Sequence, residues 1–512
     1  MDNKLFAVLI DTASIQEYIF MSNKLKENVG ASFLVERVFQ DELNAALSKV
    51  FDGENINLNS WKENPERNPI LNTAKFQVGY IGGGNALILF KDKDKDNIAK
   101  FIKEFTKLLL QYTPGLRTSF GVIDDFSFNE FASSMKKLNS SLGKNKNYYF
   151  PVVKIPKHGI TADCPFSGES AEFKYEENKF ISGVSFTKIG ANEDSKERIN
   201  KIFEDTLKGE FTFTNDIGEL GQEENKNFIA VAHIDGNGMG IKVKSCDTLN
   251  KLRCLSKKMT ETVKASLDFA LSNLIDLIEK GKLKNAGIVL KKPKKKTILP
   301  IRPIVIGGDD ITFVSEGRIG LYLVEQFFHK YSEFKFEDNQ NFSASAGISI
   351  VKTKYPFYRA YKLAEELCNE AKKKARENPG SSYIDFFVSS GGASGEIEEI
   401  RKKRFITSFG NLHFGPYVFG EIDEENSIKN LKNGIRHFQN FPKTKLMQLR
   451  DTIFNSTEEE CKAFVNELEK KGYSLYKIKN RKYHEQIWQD NNTPYYEIIE
   501  IIDFYPNELL EV

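Results

Sequence analysis

The chain contains a diverged copy of itself, and this duplication restricts its fold more than any other feature. "LFAVLID" ends at Asp11 and "FIAVAHID" ends at Asp235, each an apolar run closing on an aspartate. "QVGYIGGGNALILF" (77–90) is matched by "IRPIVIGGDDITFV" (301–314), and "LRTSFGVI" (116–123) by "FSASAGISIV" (342–351). Aligning Gly84 with Asp309 sets Asn85 opposite Asp310. The interval from Asp11 to Gly84 is 84 − 11 = 73, and that from Asp235 to Asp309 is 309 − 235 = 74. From Gly84 to Gly121 is 37, and from Asp309 to Gly347 is 38. Short apolar runs that match by chance do not keep such intervals.

Three segments have helical periodicity. Two, 249–281 and 318–334, lie between landmarks, and a third, 355–376, follows the last one, with Pro356 near its start and basic residues in its final turn. Strand, helix, strand, strand, helix, strand, helix is a βαββαβ layout. The expected fold class is α+β: two ferredoxin-like palm domains, each a sheet with helices on one face, and a C-terminal helical domain. The expected boundaries are 1–160 for the first palm, 161–225 for a polar linker or insert, 226–390 for the second palm and 391–512 for the helices. In the last part, Ser456 and Thr457 stand at an N-cap position ahead of glutamates. "KKPKKK" (291–296) reads as a solvated loop, with phosphate or RNA contact as the alternative.

The copies differ where chemistry would occur. The second places Asp309 and Asp310 at a hairpin tip beside the strand that ends at Asp235. Three converging carboxylates repel one another, and a hard divalent ion such as Mg²⁺ or Mn²⁺ offsets that repulsion. Two such ions can activate a hydroxyl and support in-line displacement at phosphorus. Gly307 and Gly308 allow a tight turn with room for phosphates. "DGNGMG" after Asp235 supplies Gly236, Asn237 and Gly238, whose backbone N–H groups can cradle a triphosphate. The first copy keeps Asp11 but has Gly84 and Asn85 at the tip, so it is expected not to catalyse. Its open tip, Gly83 and Gly84, either holds a second nucleotide or belongs to a scaffold that only packs against its neighbour.

Net charge is +2, so any phosphate contact is local. No apolar run approaches the roughly 18 residues of a membrane span, and no signal peptide is apparent. Five scattered cysteines without a CxxC pair argue against disulfides and against a zinc ribbon. The expectation is a cytoplasmic protein with reduced thiols.

GGDD on a palm hairpin, a strand-end "DGN" and the opening "DTASIQEYIFMSNKLKENVGASFLVE" (11–36) together resemble the large polymerase/cyclase subunit of type III CRISPR effector complexes. The GGDEF diguanylate cyclases belong to the same fold group. The resemblance implies an ATP-using nucleotidyltransferase with two Mg²⁺ or Mn²⁺ ions. A 3′-hydroxyl would attack an α-phosphate and yield a cyclic di- or oligonucleotide for antiviral defence. It implies metal ligation by Asp235, Asp309 and Asp310 and triphosphate contact by Lys372. Ser343 and Ser345 lie on the strand beside the hairpin and could face the nucleotide. RNA, CRISPR effector subunits and a second copy of the chain are the candidate partners. Three departures stand out. The chain starts at the first palm rather than at an HD nuclease domain, so no DNA cleavage is expected. The family's cysteine-rich zinc element is missing, because Cys164 stands alone. Asn237 stands where many relatives carry an aspartate. The competing readings are a GTP-using cyclase and a catalytically silent scaffold for RNA or partner subunits.

Overall fold

The first apolar run is strand β1 (Leu5–Ala13) of the computed structural model, which describes residues 5–52, 56–91, 95–147, 160–222, 227–389, 395–420 and 424–510. The chain forms two units. One comprises Met1–Ile202, Gly238–Val263 and Ile304–Asp309; the other comprises Phe203–Asn237, Lys264–Pro303 and Asp310–Val512.

In the first unit β1 is followed by α1 (Leu25–Arg37), the hairpin β2 (Phe76–Gly82) and β3 (Asn85–Phe90), α2 (Lys95–Tyr112), β4 (Arg117–Phe126) and α3 (Phe131–Lys146). The sheet order β2-β3-β1-β4 is the ferredoxin-like arrangement expected from the repeat. Helices cover both of its faces, not one. Val8, Ile10, Ile88 and Phe90 pack against Phe101 and Phe105 of α2. Ala7, Leu9, Leu87 and Leu89 pack against Leu138 and Leu142 of α3, joined by Leu249 and Leu252. The reason lies in β1, where both alternating sets of side chains are apolar, so both faces need cover.

Leu249 and Leu252 belong to the first turns of the long helix α5 (Leu249–Glu279). Arg253, 1% exposed, donates to the carbonyls of Gly79 (2.6 Å), Val78 (3.1 Å), Pro65 (2.8 Å) and Arg67 (3.1 Å).

The stretch expected as a linker is folded over its described residues. A hairpin, β5 (Phe173–Glu176) and β6 (Lys179–Ile181), leads into α4 (Gly183–Gly190). Helix α4 lies directly on α1 at Gly30, where a β-carbon would stand 1.8 Å from the Lys188 carbonyl oxygen. Lys188 Nζ donates to the Tyr18 carbonyl at 2.6 Å. These strands are too short and too polar to show periodicity in the sequence.

In the second unit, β7 (Phe211–Thr212) pairs in parallel with β9 (Thr297–Ile298). The main sheet contains β8 (Phe228–Gly236), β10 (Ile301–Ile306), β11 (Asp310–Glu316), β12 (Ala344–Lys352), β13 (Tyr383–Val388) and β14 (Tyr417–Val418), in the order β10-β11-β8-β12-β13-β14. Its first four strands repeat the order of the first palm, and β13 adds in parallel to β12. Helix α6 (Gly320–Tyr331) precedes β12, and α7 (Phe357–Glu377) follows it. Gly347 lets α7 approach the sheet closely, since a β-carbon there would lie 2.0 Å from the Ala364 carbonyl oxygen. Gly121 stands in the same relation to α3, 2.6 Å from the Leu138 carbonyl oxygen.

The C-terminal part contains α8 (Ile428–Phe438), α9 (Lys443–Asn455), α10 (Glu458–Lys470) and α11 (Tyr495–Ile501). Thr457 caps α10 in a reciprocal capping box with Glu460. Glu497 of α11 is buried. It accepts hydrogen bonds from the Phe414 and Gly415 amides (3.1 and 3.0 Å) and the Tyr417 hydroxyl (2.7 Å), and it pairs with His413 Nδ1 at 2.8 Å. No helix among the described residues is long and apolar enough to cross a membrane.

Candidate active site

Antiparallel pairing fixes the central residues. In the β8–β11 ladder Asp235 is the direct partner of Asp310, and in the β8–β12 ladder it is the partner of Ser345. Asp310, Asp235 and Ser345 therefore form one row across three strands, on one face of the sheet. Asp309 immediately precedes β11, in the turn after Gly307 and Gly308. Lys372 of α7 forms an ion pair with Asp235, each side chain about a quarter exposed (24%). The close seating of α7 at Gly347 sets this reach.

Asn237 is held by the strand ends. Its amide donates to Ser343 Oγ and to the Ser381 carbonyl, both at 3.2 Å, and its Oδ1 accepts from Ser345 Oγ at 2.8 Å. Its backbone N–H donates to the Ser343 carbonyl at 2.8 Å. The amide thus ties the loop after β8 to β12, and the hydroxyls of Ser343 and Ser345 are engaged in that tie. Gly236 pairs with Ala344. Gly238 has φ +73° and open space where a side chain would be.

The floor of the site is neutral. His233 is buried and bonded to Thr312 Oγ1 at 2.9 Å; burial lowers its pKa, and the charge of Asp235 opposes this only in part. Burial, followed by the nearby Asp235 charge, raises the Cys368 thiol far above its usual range. Burial, then Glu365 and Asp310, does the same to the Tyr361 hydroxyl. His233, Cys368 and Tyr361 thus lie neutral near the carboxylate row, with Glu365 as a further charge beside Tyr361.

The first palm carries the same plan with both hairpin aspartates replaced, by Gly84 and Asn85. Asp11 is the partner of Asn85 on one side and of Ser119 on the other. Lys146, at the end of α3, pairs with Asp11 at 2.5 Å. Gly83 and Gly84 have φ +59° and +76° at the hairpin tip. Within this unit a β-carbon on Gly308 would lie 3.9 Å from the Gly83 amide nitrogen. The motifs do not mark Lys146, although its spacing does: 146 − 121 = 25 and 372 − 347 = 25.

The donor set fits a divalent cation that is completed by a ligand. Like charges directly opposite across a ladder are unfavourable, and magnesium typically takes one or two carboxylates plus substrate phosphates. Among the described residues no three histidine, cysteine or acidic side chains form a preassembled metal cluster. The pair Asp235 and Asp310 therefore suits an ion that arrives with phosphates.

A ferredoxin-like sheet with an aspartate at the end of its first strand and another opening the paired hairpin strand defines a palm domain. Residues 228–379 match the second palm domain of Cas10/Cmr2, and this part of the chain is a palm of that type. No relative among curated proteins matches the sequence. Solved structures similar in fold include Csm1 from T. onnurineus, at TM-score 0.50 and 15% identity over 98% of this chain and 70% of that one. A Csm1–Csm4 cassette in complex with cA4 aligns at TM-score 0.50 and 15% identity over 98% and 69%. A Csm1–Csm4 cassette in complex with one ATP aligns at 0.50 and 15% over 100% and 70%.

Proposed function

We propose that the second palm is the site of an ATP-using nucleotidyltransferase that makes a cyclic di- or oligoadenylate signal in CRISPR-type defence. The observation that carries this reading is the Asp310–Asp235 register pair, with Lys372 fixed on Asp235 by α7. Asp235 and Asp310, with Asp309 beside them, would hold Mg²⁺ or Mn²⁺. When bound, these ions neutralise phosphate charge and lower the pKa of a coordinated hydroxyl. Lys372 leaves Asp235 or bridges it to triphosphate as the nucleotide enters. Gly236 and Gly238 offer backbone amides with no side chain in the way, and Gly307 and Gly308 leave room beside the hairpin. Asn237 keeps the loop after β8 in register. The neutral His233, Cys368 and Tyr361 place no cation of their own against the row. In the reaction the 3′-hydroxyl of one nucleotide bonds to the α-phosphorus of another, and pyrophosphate leaves.

The first palm, with Asp11, Lys146, Gly83 and Gly84, would hold a second nucleotide and not react, because Gly84 and Asn85 replace both hairpin carboxylates. A Csm4-type subunit and RNA are the proposed partners. The fold relatives in complex with ATP and cA4 support adenine nucleotides over GTP.

The test is incubation with each labelled NTP and Mg²⁺ or Mn²⁺, with and without RNA and a Csm4-type subunit, followed by mass analysis of products. A cyclic adenylate that is lost in Asp309→Ala/Asp310→Ala is expected. Equal, absent turnover of wild type and variant under every condition would sink the enzyme reading and leave the scaffold.

A further inference from the structure

Residues 164–185 contain a pattern hidden by serine: Cys164-Pro-Phe-Ser167-Gly, then Ser182-Gly-Val-Ser185. Two pairs with two residues inside each, separated by the β5–β6 hairpin, approach the C-x₂-C-x₁₅₋₂₀-C-x₂-C spacing of zinc sites. Here the intervening stretch is 182 − 167 − 1 = 14 residues. Cys164 stands alone as a cysteine, but its position has three partners.

The structure brings the four side chains together. Cys164 Sγ donates to Ser185 Oγ at 3.6 Å, and the hydroxyls of Ser167 and Ser182 are 3.1 Å apart. Four thiolates at zinc–sulfur distances of about 2.3 Å would stand roughly 3.8 Å from one another. These two contacts are close to the edge length of a tetrahedral ligand set. Its backbone also has the form of two ligand-bearing turns. The Gly168 amide donates to the Cys164 carbonyl at 2.8 Å, with Gly168 at φ +71°, and Ser182 caps α4 by accepting from the Ser185 amide at 3.3 Å.

Burial pushes the Cys164 thiol up. Hydrogen bonds from the Ser167 hydroxyl and from the Ser182, Phe166 and Ser167 amides outweigh it and bring the thiol to about 7. Behind the cluster, Ser185 Oγ donates to Glu27 Oε2 at 3.2 Å. Glu27 is 2% exposed, and its Oε1 is buried without a hydrogen-bond partner. The donor set itself excludes a strong native zinc site. Zinc takes thiolate, imidazole or carboxylate, and three of the four positions are neutral hydroxyls.

We infer that residues 164–185 are a tetrahedral metal-site scaffold whose two turns are joined by hydrogen bonds among Cys164, Ser167, Ser182 and Ser185, and that cysteine at the three serine positions creates a zinc site. The element then keeps the shape of a metal ribbon with no dependence on zinc supply. It lies outside the catalytic palm, so the inference is independent of the proposed activity.

The experiment is a cobalt titration of the full chain carrying Ser167→Cys/Ser182→Cys/Ser185→Cys. One equivalent of Co²⁺ is expected to give the thiolate charge-transfer and tetrahedral ligand-field bands, displaced by Zn²⁺, with a dissociation constant at least about 100-fold below that of wild type. A triple variant with wild-type circular dichroism and no such gain would overturn the inference. So would wild-type protein that purifies with stoichiometric zinc and loses it on Cys164→Ser. Should the triple variant not fold, Ser182→Cys/Ser185→Cys, with three thiols, must still gain about 10-fold in Co²⁺ affinity. The hydrogen-bonded join has its own readout in wild type. Cys164→Ser should leave local resistance to proteolysis between 160 and 190 unchanged, and Cys164→Val should lower it several-fold. Equal resistance in both would overturn that part.

Discussion

Asp310→Asn puts into the second palm the asparagine that the first carries as Asn85 opposite Asp11, and leaves Asp309 in place. Asp310 and Asp235 are direct cross-strand partners, so their β-carbons stand about 4.5–5.5 Å apart. Two unit charges about 5 Å apart repel by roughly 0.8 kcal/mol in water and roughly 3 kcal/mol at an effective dielectric of 20. Both side chains are partly exposed and Lys372 sits on Asp235, which places the retained repulsion near about 1 kcal/mol. In EDTA the substitution should therefore stabilise the second palm by about that amount, raising its melting midpoint by roughly 2–4 °C for a domain of this size. Magnesium with a non-hydrolysable ATP analogue should reverse the order. At a hundredfold excess over its dissociation constant a ligand adds about 2.7 kcal/mol, and the asparagine variant, short of one carboxylate, should gain much less. Scanning calorimetry of both proteins, in EDTA and through a magnesium titration, reads both effects. An asparagine variant that is less stable in EDTA, or an equal magnesium response in the two proteins, would refute the reasoning.

Gly347→Ala forces a methyl group to within 2.0 Å of the Ala364 carbonyl oxygen; it should cost about 3 kcal/mol or more in urea unfolding and weaken nucleotide binding by shifting Lys372. Glu497→Gln should destabilise the second unit by about 2–4 kcal/mol at pH 7. Burial opposes ionisation of Glu497, but His413, Tyr417 and Arg401 outweigh it and hold the carboxyl below its usual range. Its contribution is thus present above the unfolded value and lost as pH falls through the folded one, so the glutamine variant should show a flatter acid limb in urea midpoints. The Cys164 thiol, at about 7 in the fold against 9.0 for the ordinary thiol, contributes stability that is complete above about 9 and lost as pH falls towards about 7. That slope in the stability of the first unit should vanish in Cys164→Ser.

The sheets were legible because their strands are long, apolar and duplicated at fixed intervals, and the hairpin aspartates were legible because their twin lacks them. Lys146 was not, since "LGKNK" shares no apolar signature with "AKKKAR" and only the equal distance from Gly121 and Gly347 marks it. Asn237 read as a phosphate-loop residue. Its tie to Ser343, Ser345 and Ser381 depends on the β8–β12 register, which alternation alone does not give. "YIDFFV" is an apolar run of six residues that fits a buried strand or a helix segment equally, so the parallel addition of β13 could not be read. The ribbon at 164–185 escaped because serine at ligand positions carries no signal until the turns are folded together.

The carbonyls that Arg253 binds lie far behind it in the chain, those of Gly79 and Val78 by 174 and 175 residues. At roughly 5–20 residues per second, a ribosome exposes the edge strand β2 on the order of 10–30 seconds before the guanidinium that closes it has been made. Leu249 and Leu252, which complete one face of the same sheet, arrive together with Arg253. A fragment ending at Ile202 would therefore lack part of its own core and is expected to need a chaperone, or the later segment supplied in trans. One face and one edge of the first palm are completed by sequence that follows the first strand of the second, so synthesis of the two copies is coupled even though their chemistries have diverged.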